Sequence, residues 1–313
     1  MDKLAFLNDT QLLKRLVWIT FAAFLLGVTA FSGFYYWDRY IHLGDTSPIE
    51  KNIAHLEKLV RENPQDAGTR LALAQYYLEN AMYAQAIDQA QQVSKAYPDN
   101  DGALLISGIA YTHTGEPEAA IEPLEKFAEI HRKSEMAHID SGLETALYFL
   151  GANYVKLNQS EKAIVVLTEA LSINRTDADA MYQLGLAYAQ QGQHEQAVEQ
   201  FQNAVLFVPD FSEAYSHMAE SFTALGKTDY AAYARGMEAY AMEDYTSGRQ
   251  QLELVSAKLP NFLLVHIGLG QIYEQLGELQ LARQSYERAL EIDPINFTAS
   301  NALARVKQHA GGN

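Results

Sequence analysis

The sequence predicts an all-α protein: a solenoid of stacked helical hairpins preceded by a single transmembrane helix. Two features point there. The stretch Ala178–Phe211 places small and large apolar residues at intervals that recur along most of the chain, and residues 16–37 run without a charge. In addition, no run of alternating apolar residues bounded by tight-turn residues occurs, so no sheet is expected.

The reference stretch reads ADAMYQLGLAYAQQGQHEQAVEQFQNAVLFVPDF, two amphipathic helices separated by Gln191-Gly192-Gln193. Leu184, Gly185, Tyr188, Ala197, Phe201, Ala204 and Pro209 occupy its fixed places. Gly185 and Ala197 are small, so two helices can approach there, while Tyr188 and Phe201 fill the space around them. Pro209 ends the second helix, because its ring clashes with the preceding turn and offers no N–H. This spacing resembles the tetratricopeptide repeat (TPR) pattern of L-G-x2-Y, A-x3-F and P, with a period of about 34 residues.

The composition sets outer bounds. At 313 residues and 48% apolar content the chain suffices for one large repeat domain or two ordinary ones. Its formal net charge is −16, and residues 1–37 hold only Asp2 and Asp9 against Lys3, Lys14 and Arg15, so the acid excess lies beyond them. A surface that acidic repels phosphate backbones, so nucleic acid is not an expected partner. The absence of cysteine excludes disulfides, cysteine zinc sites and haem attachment through CxxCH, and leaves the compartment open.

Residues 1–15 are expected on the cytoplasmic side, since Lys14 and Arg15 precede the apolar run. Residues 16–37, LVWITFAAFLLGVTAFSGFYYW, are long enough at 1.5 Å per residue to cross about 30 Å of hydrocarbon. Phe34, Tyr35, Tyr36 and Trp37 close the run like an interfacial aromatic belt. The competing reading is a cleavable signal peptide, with Val28-Thr29-Ala30 at the cut. The length of the run and the aromatic belt favour an uncleaved anchor; either way the remainder is exported.

A linker, 38–48, follows, in which Ser47 can cap a helix and Pro48 suits its first position. The solenoid is expected over 49–309. Its lead helix, 49–63, puts Ile53, Leu56, Leu59 and Val60 on one face and stops at Pro64. Repeats then count as 67–100, with Leu73, Ala74, Tyr77, Ala86 and Pro98, and 101–134, with Gly108, Tyr111, Gly115 and Ala120. An insertion, 135–143, interrupts them. Next come 144–177, with Leu150, Gly151, Tyr154, Ala163, Leu167 and Ala170, and the reference repeat itself.

Beyond Phe211 the register slips by half a period. Residues 212–228 look like a first helix alone, carrying Tyr215, Met218, Ala219, Phe222 and Gly226. A unit over 229–262 (Gly236, Leu252, Val255, Pro260) and a full repeat over 263–296 (Leu269, Gly270, Tyr273, Gly277, Ala282, Tyr286, Ala289, Pro294) follow. The pairing of the three helices within 212–262 stays open. Residues 297–309 read as a closing helix with Leu303 and Val306 inward, as a terminal cap requires, and 310–313 as a frayed tail.

The TPR resemblance implies a right-handed superhelix whose concave face is lined by first helices and holds a peptide or partner helix. Its inward places, the second, fifth, ninth and twelfth of each repeat, carry over onto Leu105, Ile109, Tyr148, Val155, Tyr182, Leu186, Glu213, Glu220, Tyr230, Tyr233, Met237 and Tyr240. Such a groove is apolar and aromatic with an acidic patch, suited to an amphipathic helix or a neutral to basic peptide. The competing reading packs these aromatic residues between helices, as most at helical spacing are. A carboxylate-clamp groove is disfavoured, because among the basic residues it needs only Lys156 lies near a matching place.

His131, Glu135, His138 and Asp140 could offer a divalent metal three ligands from one helix face, but a solvated polar loop is favoured and no metal site is expected. His113, His194 and His217 are scattered at turn or surface places. Asn158, Asn174 and Asn296 begin N-x-[ST] triplets, which matter only in a glycosylating lumen. No nucleophile elbow, phosphate loop, dinucleotide fingerprint or HExxH is present, so neither catalysis nor a cofactor is expected. A single anchor followed by TPR units resembles bacterial periplasmic assembly factors, such as those of c-type cytochrome maturation or translocon-associated chaperoning. The function expected is a membrane-anchored interaction scaffold; the alternative is a permanent structural subunit of a membrane or cell-surface complex.

Overall fold

A computed structural model of the protein describes residues 10–37 and 47–310. The expected linker 38–48 therefore lies mostly outside the described residues, as do 1–9 and 311–313. Among the described residues every regular element is helical. The chain divides into two units, Met1–Thr69 and Arg70–Asn313.

The first unit contains α1 (Thr10–Tyr36) and α2 (Pro48–Glu62). Over Val17–Tyr36, α1 is the one helix among the described residues long and apolar enough to cross a membrane, a property it would share with a signal sequence. It begins at Thr10, ahead of the uncharged run. Two of its hydroxyls are satisfied within the helix: Thr20 Oγ1 donates to the Val17 carbonyl at 3.0 Å, and Thr29 Oγ1 to that of Leu25 at 2.9 Å. Ser47 caps α2 in a reciprocal capping box. Its Oγ accepts from the Glu50 N–H at 3.1 Å while Glu50 Oε2 accepts from the Ser47 N–H at 2.8 Å, and Pro48 takes the first helical position. Ile53, Leu56, Leu59 and Val60 are the partly covered apolar face of this helix.

The second unit begins within α3 (Ala67–Glu79), which pairs with α4 (Tyr83–Ala96). Further hairpins are α5 (Asp101–Thr114) with α6 (Pro117–His131), α7 (Ser141–Lys156) with α8 (Ser160–Ile173), and α9 (Ala178–Gln190) with α10 (His194–Phe207). Then come α11 (Ser212–Ala224), α12 (Thr228–Ala241), α13 (Tyr245–Lys258), the hairpin α14 (Leu263–Gln275) with α15 (Leu279–Ile292), and α16 (Phe297–Ala310).

Four hairpins are locked by a bulky residue on the second helix seated over a glycine on the first. A Cβ on Gly108, Gly151, Gly185 or Gly270 would fall 2.4–2.5 Å from Leu124, Leu167, Phe201 or Tyr286 respectively. Only glycine permits that approach, which is why Phe201 and Tyr286 are fully buried. In α3–α4 the equivalent places are Ala74 and Ala90, both at 0% exposure, so small residues meet from both sides.

The pairing of α11, α12 and α13 has a definite answer. Hairpin turns need one residue with positive φ, filled by Ala81, Gly115, Asn158, Gly192 and Gly277 in the regular hairpins. Gly226 fills it between α11 and α12, and Glu243 between α12 and α13. So α12 closes one hairpin and opens the next, packing on both neighbours. Ala231 and Ala234, at 0% exposure, keep it thin enough to be flanked twice.

The insertion after α6 contains one turn of 3-10 helix, Ala137–Ile139, and the helix after it starts at Ser141 rather than after the insertion. Asp140 explains the early start. Its Oδ1 accepts from the N–H groups of Gly142 and Leu143 at 2.9 and 3.0 Å, and its Oδ2 lies 2.7 Å from His131 Nδ1. His131 also stacks on Phe127 with ring centroids 3.9 Å apart. The polar residues singled out here thus tie α6 to the start of α7, while Glu135 and His138 are exposed.

Candidate partner groove

First helices of successive hairpins lie side by side, α5 against α7, α7 against α9 and α9 against α11. Leu105 and Ile109 on α5, Tyr148 on α7, and Tyr182 and Leu186 on α9 are half-buried, with one side packed and one side open. Glu213 and Glu220 on α11 are exposed. Seven of the residues expected from the sequence thus keep some exposure on first helices that pack side by side.

The remaining five divide. Val155, Tyr233 and Met237 are buried, at 7%, 6% and 3% exposure, and present no surface. The last two are covered from the α14 side: Tyr233 meets the Phe262 ring edge-on at 4.9 Å, and the Met237 sulfur lies over Gly268, 2.6 Å from where its Cβ would be. Tyr240 is half-buried, 5.8 Å from Tyr245, and Tyr230 is exposed beside Phe222 and Phe262.

Carboxylates gather along the row. Burial, then a hydrogen bond and like charge from Asp177, push Glu144 up to about 7. Burial raises the Tyr148 hydroxyl to about 12, with the charges of Asp179, Asp177 and Glu144 adding to it. Tyr182 is raised by burial and then by Glu213 and Glu220. Glu144, Asp177, Asp179 and His217 were not among the residues expected here. Asp179 stands at the second place of its repeat and was legible by that rule; the other three were not.

Around Tyr182 the wall is aromatic. Phe211 lies 4.8 Å, His217 5.8 Å and Phe201 5.9 Å from its ring centroid. Beside it a pocket of about 360 Å³ opens between α9 and α11, lined by Leu186, Ala189, Gln190, His194, His217, Glu220 and Ser221. The second helices differ in character: Arg132 of α6 holds Glu169 of α8 through two bonds of 2.8 and 2.6 Å, and Lys162 sits over the Tyr154 ring at 5.1 Å.

Glycine-locked helical hairpins in tandem, with a half-open row along their first helices, define a helical-repeat binding array. The chain belongs to the tetratricopeptide repeat family. Family models described as tetratricopeptide repeat match residues 71–135, 178–211 and 264–296, and one described as TPR repeat matches 151–192. Among curated proteins it is similar to the Cellulose synthase 1 operon protein C of Komagataeibacter xylinus, 27% identical over 274 residues. That match covers 82% of this chain and 20% of the relative. The chain thus spans about a fifth of the length of that relative. It is also similar to the Hsp70-Hsp90 organising protein of Plasmodium falciparum, 25% identical over 43% of this chain and 47% of that one. A crystal structure of MamA protein superimposes with a TM-score of 0.50 at 27% identity, covering 57% of this chain and 93% of that chain.

Proposed function

We propose that the protein is a membrane-anchored scaffold whose α5–α11 groove holds a helix or extended segment of a partner protein during assembly of a membrane or exported complex. The observation that carries the reading is the row of half-open apolar and aromatic residues on first helices, bordered by carboxylates. A half-packed tyrosine offers rigid contact area at little entropic cost. A similarity to an Hsp70-Hsp90 organising protein and to a cellulose synthase operon protein supports a protein partner and a cell-envelope setting. We read the array as non-catalytic, in keeping with its family.

A permanently coated subunit is less well supported. The large exposed apolar residues of α6, α8, α10, α13 and α15 are Ile130, Val165, Leu206 with Phe207, Leu254 and Leu281, of which only Phe207 is aromatic, as on an ordinary solvated surface. Replacing Tyr148 and Tyr182 with Ala should weaken capture of crosslinked partners in the native membrane by about tenfold while the helical melting transition persists. Unchanged capture would remove the groove from consideration.

In the membrane reading, α1 spans with Lys14 and Arg15 on the cytoplasmic side, leaving the array on the exported side. A reporter fused after residue 45 should be active only there; cytoplasmic activity would sink this topology.

A further inference from the structure

Building on the groove reading, we infer that the α9–α11 section seats a basic side chain of the partner, its aliphatic stem against Tyr182 and Leu186 and its cationic head between Glu213 and Glu220. The two carboxylates stand two helical turns apart on one face of α11, about 10 Å at 1.5 Å per residue. His217 lies between them, its Nδ1 3.0 Å from Glu220 Oε2. The adjoining pocket has an apolar wall, Leu186 and Ala189, and a carboxylate at its rim, Glu220. That pattern fits a long apolar stem ending in a positive charge, as in lysine or arginine, with the ring of Tyr182 able to face the cation.

Charge complementarity singles out a cation. Several acids elsewhere in the array are matched by neighbouring repeats: Glu169 by Arg132, Glu274 by Arg305, Glu278 by Arg249 and Asp229 by Lys258. In the groove Glu213 accepts from the Ser212 hydroxyl, at 2.9 Å, and Glu220 pairs with His217, and among the described residues neither has a lysine or arginine partner. Tyr148 with Glu144, Asp177 and Asp179 repeats the arrangement one hairpin earlier, and packed helices lie about 8–10 Å apart. The partner segment therefore carries two basic side chains at about that spacing, which is seven residues along a helix.

The test uses the full chain in detergent and two labelled helical peptides that differ only at two positions seven residues apart, lysine in one and norleucine in the other. The lysine peptide should bind about tenfold more tightly, and its advantage should shrink between about 50 and about 300 mM salt. Glu213→Gln with Glu220→Gln should cut the advantage to about threefold, the share of the second lysine beside Tyr148, without changing norleucine-peptide binding or helicity. Equal affinities for the two peptides, or a lysine preference that the two substitutions together leave unchanged, would overturn the cation seat. Leu186→Gln separates the two levels. If it weakens both peptides while lysine carries no advantage, the groove stands and the seat falls; if neither peptide binds, or Leu186→Gln changes nothing, the groove reading falls with it.

Discussion

Gly236 of α12 and Leu252 of α13 meet so closely that a Cβ on the glycine would lie 2.5 Å from Leu252 Cδ2 and 2.9 Å from its Cγ. The same relation locks the regular hairpins, so α12 is a first helix to α13. It is also the second helix of α11, through the turn at Gly226. A half-period slip in sequence is thereby absorbed without a break, because one thin helix serves two hairpins.

Gly236→Ala should lower stability by about 1–3 kcal/mol through overpacking, against the usual gain of about 1 kcal/mol when alanine replaces a mid-helix glycine. Adding Leu252→Ala should recover part of that loss. Urea midpoints of the single and double variants give the comparison, and a stabilised Gly236→Ala protein would show that α12 and α13 are not locked here.

The turn residues offer a second handle. Ala81, Asn158 and Glu243 adopt φ of 57°, 55° and 62°, where glycine stands in the other hairpins. Left-handed backbone costs an L-residue about 1–2 kcal/mol, partly offset by the greater freedom of glycine when unfolded. Glu243→Gly should therefore raise stability by about 0.5–1 kcal/mol, and Gly277→Ala should lower it by about 1 kcal/mol. Thermal melting reads both.

Glu144 makes stability fall with rising pH. Its folded pKa, about 7, lies above the ordinary carboxylate value, so between the two the folded chain holds more protons than the unfolded one. The destabilising contribution is absent at about pH 4 and complete above about pH 7. Glu144→Gln, which cannot ionise, should match the wild type at the acid end and exceed it at about pH 8. Parallel stability curves for the two proteins across that window would rule out a buried, charge-crowded Glu144. Asp140 has the opposite sign, since the His131 hydrogen bond, followed by those of the Leu143 and Gly142 amides, holds its carboxyl below the ordinary range.

The sequence by itself determined the hairpin array and the Ser47–Pro48 start of α2. Those features rest on local rules: helical periodicity says which side chains share a face, and a glycine spaced from a bulky residue says where two helices touch. Only the tertiary structure decided how many neighbours each face meets. Tyr233 and Met237 sit at groove places by count, yet lie in the core because Phe262 and Gly268, at and within the start of α14, cover them. Tyr148 and Tyr182 stay half-open although α7 packs on both α6 and α8, and α9 on both α8 and α10. The pairing of Glu144 with Asp177 likewise joins residues nearly a full repeat apart, a proximity that stacking creates and no spacing along one helix contains.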